Sequence, residues 1–506
     1  MALLSLCLRF GTLLIALITL IPLFFVLVYT YLTGWDTAYQ LVVRPRVGEL
    51  LYNTVRLTLA VIVTCGLIGV ITAWLTERSN LPYSRVWSAL LVAPLAIPSF
   101  VNSYAWISLT PRVEGYEGAI LVITLSHFPF VYLPVAAALR GLDPALEECA
   151  RALGKGPWKT IRDVVLPQLR PALLGGLLLV TLHLLAELGA LQMLRFPTFT
   201  TAIYDQYQST FNSPAANMLA GVLVVGCLLA LVAELSLRGR GRYARLGTGT
   251  ARPATRAQLG RCMPLAAIFM VALMALSLGL PLGALIYWLR VGTSTTFPVD
   301  EFLNTSSVSL ELGVAGAVIT TLLALPVAWI AVRQPGKLSM LTERATYVGH
   351  ALPGIVVALA LVTITVRFAR PIYQTAPLLL TAYVILFFPL ALVSIRAALT
   401  QAPPVFDEVG RSLGSSPLKV LLRITLPLIA PGLGAGLALV FISSVTELTA
   451  TLLLAPIGTT TLATKFWQHS DSIAYGAAAP YAVLMVAVSA PMTYLLTRQL
   501  TNVGRR

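Results

Sequence analysis

The sequence predicts an all-α polytopic membrane protein of about 12 transmembrane helices, in two homologous six-helix halves that each present a short cytoplasmic helix. Three observations carry this. Of 506 residues, 57% are hydrophobic and 11% charged, with a mean hydropathy of +0.84, whereas a soluble globule carries about 25% charged residues. The apolar stretches approach or exceed the roughly 20 residues a helix needs to cross hydrocarbon, and they lack the alternation of barrel strands. Finally, LEECARALGKGPWKTIRDVVLPQLRPALLGG at 146–176 recurs at 406–436 as FDEVGRSLGSSPLKVLLRITLPLIAPGLGAG. Aligned without a gap, the copies share Glu148/Glu408, Arg151/Arg411, Leu153/Leu413, Gly154/Gly414, Pro157/Pro417, Lys159/Lys419, Leu166/Leu426, Pro167/Pro427, Pro171/Pro431 and Gly176/Gly436. Each copy is a polar island between apolar runs.

The first apolar run extends to Leu32, longer than the apolar region of a cleaved signal peptide and with no small-residue cleavage site, so it reads as a retained span. A polar connector leads to spans at 51–75, 86–109 with Pro94 and Pro98 inside it, and 119–139. Prolines within a span require neighbours for the freed carbonyls, which places these helices against others rather than against lipid. After the island come a span at 171–194, a connector at 195–217 and a sixth span ending near Leu237. The segment 238–261 holds seven arginines and no acidic residue. It reads as a flexible cytoplasmic linker obeying the positive-inside rule, and the net charge of +15 has the same source, with no nucleic-acid partner implied. The second half adds a helix at 263–289 and spans at 308–332, 342–366, 376–397, 431–454 and 477–496. Ala73-Trp74 corresponds to Ala328-Trp329 and Pro98 to Pro353. With the linker inside, both islands, the loops at Arg78 and Arg333 and both termini are expected in the cytoplasm. The repeats then share one orientation, related by an axis along the membrane normal. The five cysteines show no paired spacing for zinc or disulfides and read as packing residues.

Within the island, Asp143-Pro144 predicts an N-cap followed by proline at the first helical position, and Gly154 a C-terminal stop, giving a helix over 144–153. Pro403 replaces the capping Asp in the second copy, so that helix should start more weakly. Leu146, Ala150 and Leu153, like Phe406, Gly410 and Leu413, fall at i, i+4 and i+7 as one apolar stripe. Glu147, Glu148 and Arg151, or Asp407, Glu408 and Arg411, lie opposite, spaced for local ion pairs. A helix this short must dock, either on its own membrane domain or in a groove of a partner. Its duplication favours a twofold partner.

The pattern Glu-x-x-Arg-x-Leu-Gly followed by Leu-Pro resembles the EAA loop of ABC-importer permeases with type-1 transmembrane domains, whose short coupling helix fits a cleft in the ATPase subunit. The family's Glu-Ala-Ala stands as Glu148-Cys149-Ala150 and departs to Glu408-Val409-Gly410; its glycine is Gly154 and Gly414. The resemblance spans nearly the whole chain and is greatest to fused, two-domain permeases of bacterial ferric-iron importers. It implies permease halves at 1–237 and 263–506 joined by the linker 238–262, with the transmembrane domains proper at about 51–237 and 304–497. It also implies ATPase contact through Glu148, Ala150, Arg151, Leu153, Gly154, Glu408, Gly410, Arg411, Leu413 and Gly414. The expected partners are two ATPase subunits, a periplasmic substrate-binding protein and the bilayer of a bacterial inner membrane. Ferric iron is the expected cargo, with thiamine, aminoethylphosphonate or a polyamine as alternatives. No G-x-x-x-x-G-K-S/T occurs, so the chain has no P-loop of its own.

Glu187 and Glu447 stand about 16 residues beyond Pro171 and Pro431, roughly 24 Å along a helix, and so in the outer half of the membrane. One reading is a carboxylate pair drawing a cation along the pathway; the other is hydrogen-bonding glue between helices or to an unwound backbone. His183 precedes Glu187 by one turn, but Ser443 occupies the matching place, so a symmetric histidine pair is excluded. Tyr204, Tyr207, Trp467 and His469, in the external connectors, read as interfacial aromatics or binding-protein contacts. No metal site or cofactor is expected, and no nucleophile-base constellation points to an enzyme. A self-sufficient, ion-coupled secondary transporter, which also uses repeats and membrane carboxylates, is the rival from another class.

Overall fold

A computed structural model describes residues 2–142, 144–210, 212–238, 256–292, 298–334, 336–350 and 352–503. The described residues form helices throughout, with one isolated β-bridge between Ser79 and Ala257. Eight helices among them are long and apolar enough to cross a membrane. Two bent pairs, Ser84–Ala96 with Ser99–Leu109 and Tyr116–His127 with Pro129–Gly141, raise this to ten. The shorter apolar helices Gly354–Phe368 and Tyr475–Pro491 stand where the remaining two expected spans lie in the sequence.

Four expected spans differ in form, for reasons of backbone chemistry. The span at 86–109 is broken, turning by 87° where Ile97 and Pro98 are extended, because Pro98 offers no N–H to continue the ladder. Pro353 repeats this, extended at φ −60°, ψ 145° ahead of Gly354–Phe368. The spans expected to start at Pro171 and Pro431 begin earlier, at Trp158 and Leu421. Each passes through a π-turn, Ile161–Val165 and Leu421–Thr425. There the Leu166 N–H bonds the Ile161 carbonyl and the Leu426 N–H that of Leu421, one residue further back than in an α-helix. The repeated Leu-Pro, at Pro167 and Pro427, follows at once, so the widened turn absorbs the N–H that proline lacks. Both spans also end early, at Ala186 and Val445, and short helices Gly189–Met193 and Thr449–Leu454 follow each break.

The chain divides into two compact units that do not follow the sequence halves. One comprises Met1–Arg44, Ile203–Val224 and Thr296–Val488; the other, Pro45–Ala202, Val225–Thr295 and Ser489–Arg506. In the first unit the leading helix Ala2–Thr33 packs on Val299–Arg333, Lys337–His350 and Gly354–Phe368, which belong to the second sequence half. In the other, Leu280–Val291 packs on Ser99–Leu109 of the first half. The leading helix of each half is thus housed with the opposite core, and 1–237 and 263–506 describe the repeat in sequence rather than the compact units.

Each unit is built around three helices that approach through small residues, as packing in lipid favours. A Cβ on Gly69 would lie 2.7 Å from Val131 Cβ, and one on Gly176 would lie 2.9 Å from the Phe130 carbonyl oxygen and from Val131 Cα. In the other unit Gly432 faces Ala398 and Gly436 faces Ala391. Gly176→Ala is therefore expected to destabilise by about 1–3 kcal/mol through overpacking, while Gly175→Ala, with nothing within 4 Å, should leave stability unchanged. Thermal unfolding of the two purified variants checks this; equal melting temperatures would refute the close approach.

Candidate functional site

The island folds as two matching helices, Pro144–Ala152 and Pro404–Ser412. Asp143 lies outside the described residues; Pro403 makes no side-chain cap. Both C-termini close in the same way. Gly154 sits at φ +79° and Gly414 at φ +82°, the left-handed region, and nothing stands within 4 Å of either Cβ position, so conformation and not space calls for glycine. The Lys155 N–H bonds the Ala150 carbonyl at 3.0 Å and the Gly154 N–H that of Arg151 at 2.9 Å; Ser415 and Gly414 repeat the bonds to Gly410 and Arg411 at 3.1 and 3.0 Å. This is the Schellman closure, which satisfies the last carbonyls of the helix.

The expected apolar stripe is split. Ala150 and Gly410 are buried, but Leu153 and Leu413 are 82% and 80% exposed, and Phe406 is exposed as well. The inward face is instead made by Glu147 with Ala150, and by Asp407 with Gly410. Arg78 Nη1 lies 3.0 Å from Glu147 Oε1, the side chains being 5% and 15% exposed, and Arg78 Nη2 donates to the Leu139 carbonyl at 3.0 Å. In the second copy Arg333 Nε lies 3.4 Å from Asp407 Oδ2, Arg333 Nη2 donates to the Ala402 carbonyl at 2.9 Å, and Thr425 Oγ1 donates to Asp407 Oδ1 at 2.7 Å. The sequence places Glu147 and Asp407 opposite the apolar stripe, among the local ion pairs, and gives the two arginines a role only in orienting the chain. The signal was present, since Arg78 and Arg333 both follow the shared Ala-Trp by the same interval. Glu148, Arg151, Glu408 and Arg411 are exposed, as a surface for a partner requires.

The second copy's departure at Gly410 also has a packing cause. A Cβ there would meet Ile424 Cδ1 at 2.7 Å and Val420 Cγ2 at 3.1 Å. The first copy carries Val164 and Thr160 at those places. Smaller neighbours leave room for Ala150; larger ones require glycine.

Glu187 and Glu447 lie at the breaks that end the long spans, half-buried in their respective units. Glu187 Oε1 accepts from the Ala190 N–H at 3.0 Å, Oε2 accepts from Ser99 Oγ, and its carbonyl accepts from Thr200 Oγ1 at 2.7 Å. Glu447 Oε1 accepts from the Ala450 N–H at 2.9 Å and its carbonyl from Thr451 Oγ1 at 2.8 Å. A Cβ on Gly354, the counterpart of Ser99, would stand 3.2 Å from Glu447 Oε1. Each carboxylate therefore caps a short helix and sits beside the start of the helix that follows the break at Pro98 or Pro353. Of the two readings, the one the contacts express is bonding to interrupted backbone. Among the described residues no three His, Cys, Asp or Glu side chains group as metal ligands.

The His183 ring lies 4.3 Å from that of Phe130 and 6.1 Å from that of buried His127, a contact between helices. Beyond the spanning helices, burial raises the Tyr204 phenol above its ordinary range, reinforced by the Asp471 charge. Burial and Tyr373 push Tyr207 up to about 12. His469 stacks on Tyr481 at 5.6 Å, and burial, then Lys465, lower its pKa; Lys465 pairs with Glu301.

An all-helical membrane protein with two repeats of a broken-helix core, each carrying an anchored outward-facing helix, is a duplicated transport permease. The chain belongs to the family of binding-protein-dependent transport system inner membrane components, whose model matches residues 66–238 and 324–505. Each matched region holds one island, and Glu187 or Glu447. The chain is 39% identical over 495 residues to the Fe(3+)-transport system permease protein FbpB 2 of Haemophilus influenzae, covering 96% of this chain and 97% of that one. It is 22% identical over 410 residues to the ferric transport system permease protein FbpB of Actinobacillus pleuropneumoniae, covering 78% and 60%. Against the sulfate transport system permease protein CysT of Escherichia coli it is 28% identical over 258 residues, 47% of this chain but 92% of that one. About half of this chain thus aligns with nearly the whole of that one.

Removing one member of a buried ion pair strands the other charge, at about 3–5 kcal/mol. Arg333→Ala should lower stability by that order, and Arg333→Met combined with Asp407→Leu should recover part of it. Denaturation of the three proteins in one detergent decides; a single variant as stable as the parent would contradict the buried pair.

Proposed function

We propose that this chain is the permease subunit of an ATP-driven importer of ferric iron, receiving its cargo from a periplasmic binding protein and its energy from two ATPase subunits. The observation that carries the reading is the repeated helix with its charged inner face anchored and its apolar residues, Leu153 and Leu413, turned outward. The ATPases dock on Pro144–Ala152 and Pro404–Ser412. Leu153 and Leu413 enter the clefts, Glu148, Arg151, Glu408 and Arg411 pair at the rim, and Gly154 and Gly414 turn the chain away. Ala150 and Gly410 face the permease's own core. Both islands and both termini lie in the cytoplasm of a bacterial cell, with the spans in its inner membrane. Iron is favoured as cargo because a relative aligned over nearly the full length carries that name.

The proposed transmission route runs within each repeat. From the Schellman turn the chain enters the span Trp158–Ala186, of 29 residues, or about 43 Å of helix. That helix ends at Glu187, whose carboxylate joins the break after Ala186 to the break before Ser99. Movement of the docked helix is thereby carried to the interrupted helices in the outer half of the membrane, which line the pathway. In the second repeat the matching span Leu421–Val445 ends just before Glu447, which lies beside Gly354.

Gly154→Val combined with Gly414→Val, or Glu148→Ala combined with Glu408→Ala, should leave the protein inserted yet cut ATP-driven uptake at least about tenfold, because left-handed backbone strains any β-branched residue and the rim pairs are lost. Reconstitution with the co-purified ATPase and binding protein, reading radioactive iron uptake and ATP hydrolysis together, is the measurement. Normal uptake in either double variant would sink the docking reading. Uptake of sulfate or thiamine instead of iron would overturn the cargo alone.

A further inference from the structure

The end of the basic linker is not free. The Ala257 N–H donates to the Arg78 carbonyl at 2.7 Å, and the Asn80 N–H donates to the Ala257 carbonyl at 3.1 Å, forming the one β-bridge among the described residues. Asn80 Nδ2 donates to Gln258 Oε1 at 2.7 Å, and Asn80 Oδ1 accepts from the Leu259 N–H at 2.9 Å. Ser79, at the centre of this clamp, is fully buried. The Arg256 charge acts on Glu77, whose carboxylate lies 3.4 Å from Arg140. The clamped backbone belongs to Arg78, the residue whose guanidinium holds Glu147 of the first island helix. The sequence reads as a flexible linker; its last described residues are paired.

The second repeat lacks the means to copy this. Counting from the shared Ala-Trp, Pro335 stands where the first repeat has Asn80. Proline has neither the N–H nor the side-chain amide that the clamp uses.

We propose that Asn80, Ala257 and Gln258 are positioning residues for the first coupling helix alone: the linker fixes the loop of Arg78, and so the Arg78–Glu147 pair and the helix it holds. The two coupling helices are then unequal. The first is tied to the segment that joins the repeats and to the helix Met263–Met274 that follows it; the second is held by Arg333, Asp407 and Thr425, and among the described residues no β-bridge joins its arginine loop. The functional sense of this inequality rests on the docking reading above, as it makes the first helix the stiffer of two inputs.

The experiment is hydrogen exchange, followed peptide by peptide, on the full chain in lipid nanodiscs. Asn80→Ala deletes two side-chain hydrogen bonds and leaves the backbone bridge. It should speed exchange over 144–153 by about tenfold, as the loss of two bonds predicts, and leave 404–413 at the parent rate. Ala257→Pro, which removes the N–H given to Arg78, should do at least as much, and Ala257→Gly, which keeps it, should match the parent. Unchanged exchange over 144–153 in Asn80→Ala would overturn the proposal, as would equal acceleration of both helices. If Ala257→Pro fails to insert, Asn80→Ala decides. No ATPase enters the measurement, so a chain found to bind no ATPase would refute the docking reading and leave this result standing.

Discussion

A guanidinium withdrawn from water requires a carboxylate and further acceptors, since the cost of an unpaired buried charge is several kcal/mol. Arg78 and Arg333 impose that requirement at the ends of two equivalent helices, and the chain meets it with Glu147 and Asp407 from the island. The orientation of each island helix follows. With its first acidic side chain held inward, Ala150 or Gly410 must face the core, and Leu153 or Leu413 must face out. An apolar side chain at the end of a charged helix is thereby presented to a partner.

The second constraint is set by lipid, where no water is available for an interrupted backbone. Proline at Pro98 and Pro353 breaks one helix of each core, and the long helix after each island also stops short. The freed groups at the latter breaks are met by Glu187 and Glu447, each taking a backbone N–H with its carboxylate, and by Thr200 and Thr451, which satisfy the glutamate carbonyls. The π-turns before Pro167 and Pro427 serve the same end on the island side. The interruptions after Ala186 and Val445 are tolerated because each carries its own polar partners.

Comparison of the repeats separates what the architecture requires from what one copy adds. Ala150 beside Thr160 and Val164, against Gly410 beside Val420 and Ile424, is one packing problem solved twice. Ser99 against Gly354 and Asn80 against Pro335 are different: the first repeat holds a hydrogen bond or a clamp that the second cannot form. The duplication conserves backbone form more strictly than side-chain contacts.

The sequence by itself determined the fold class, the duplication, the places of the apolar spans though not their breaks, and the island helices with their glycine stops. Each of these depends on short-range chemistry: apolar length against membrane thickness, and the left-handed turn that only glycine takes cheaply. The Glu187 and Glu447 positions were legible too, because an ionisable group within an apolar run is conspicuous. Tertiary structure decided the rest. Which side of the island helix faces inward depended on Arg78 and Arg333, each some seventy residues upstream, and no local periodicity contains that partner. The leading helices join the opposite cores because apolar surface specifies burial without specifying which neighbour provides it. The linker's last described residues formed a β-bridge because a polar segment's backbone bonds are settled only when another segment's free N–H and carbonyl come within reach.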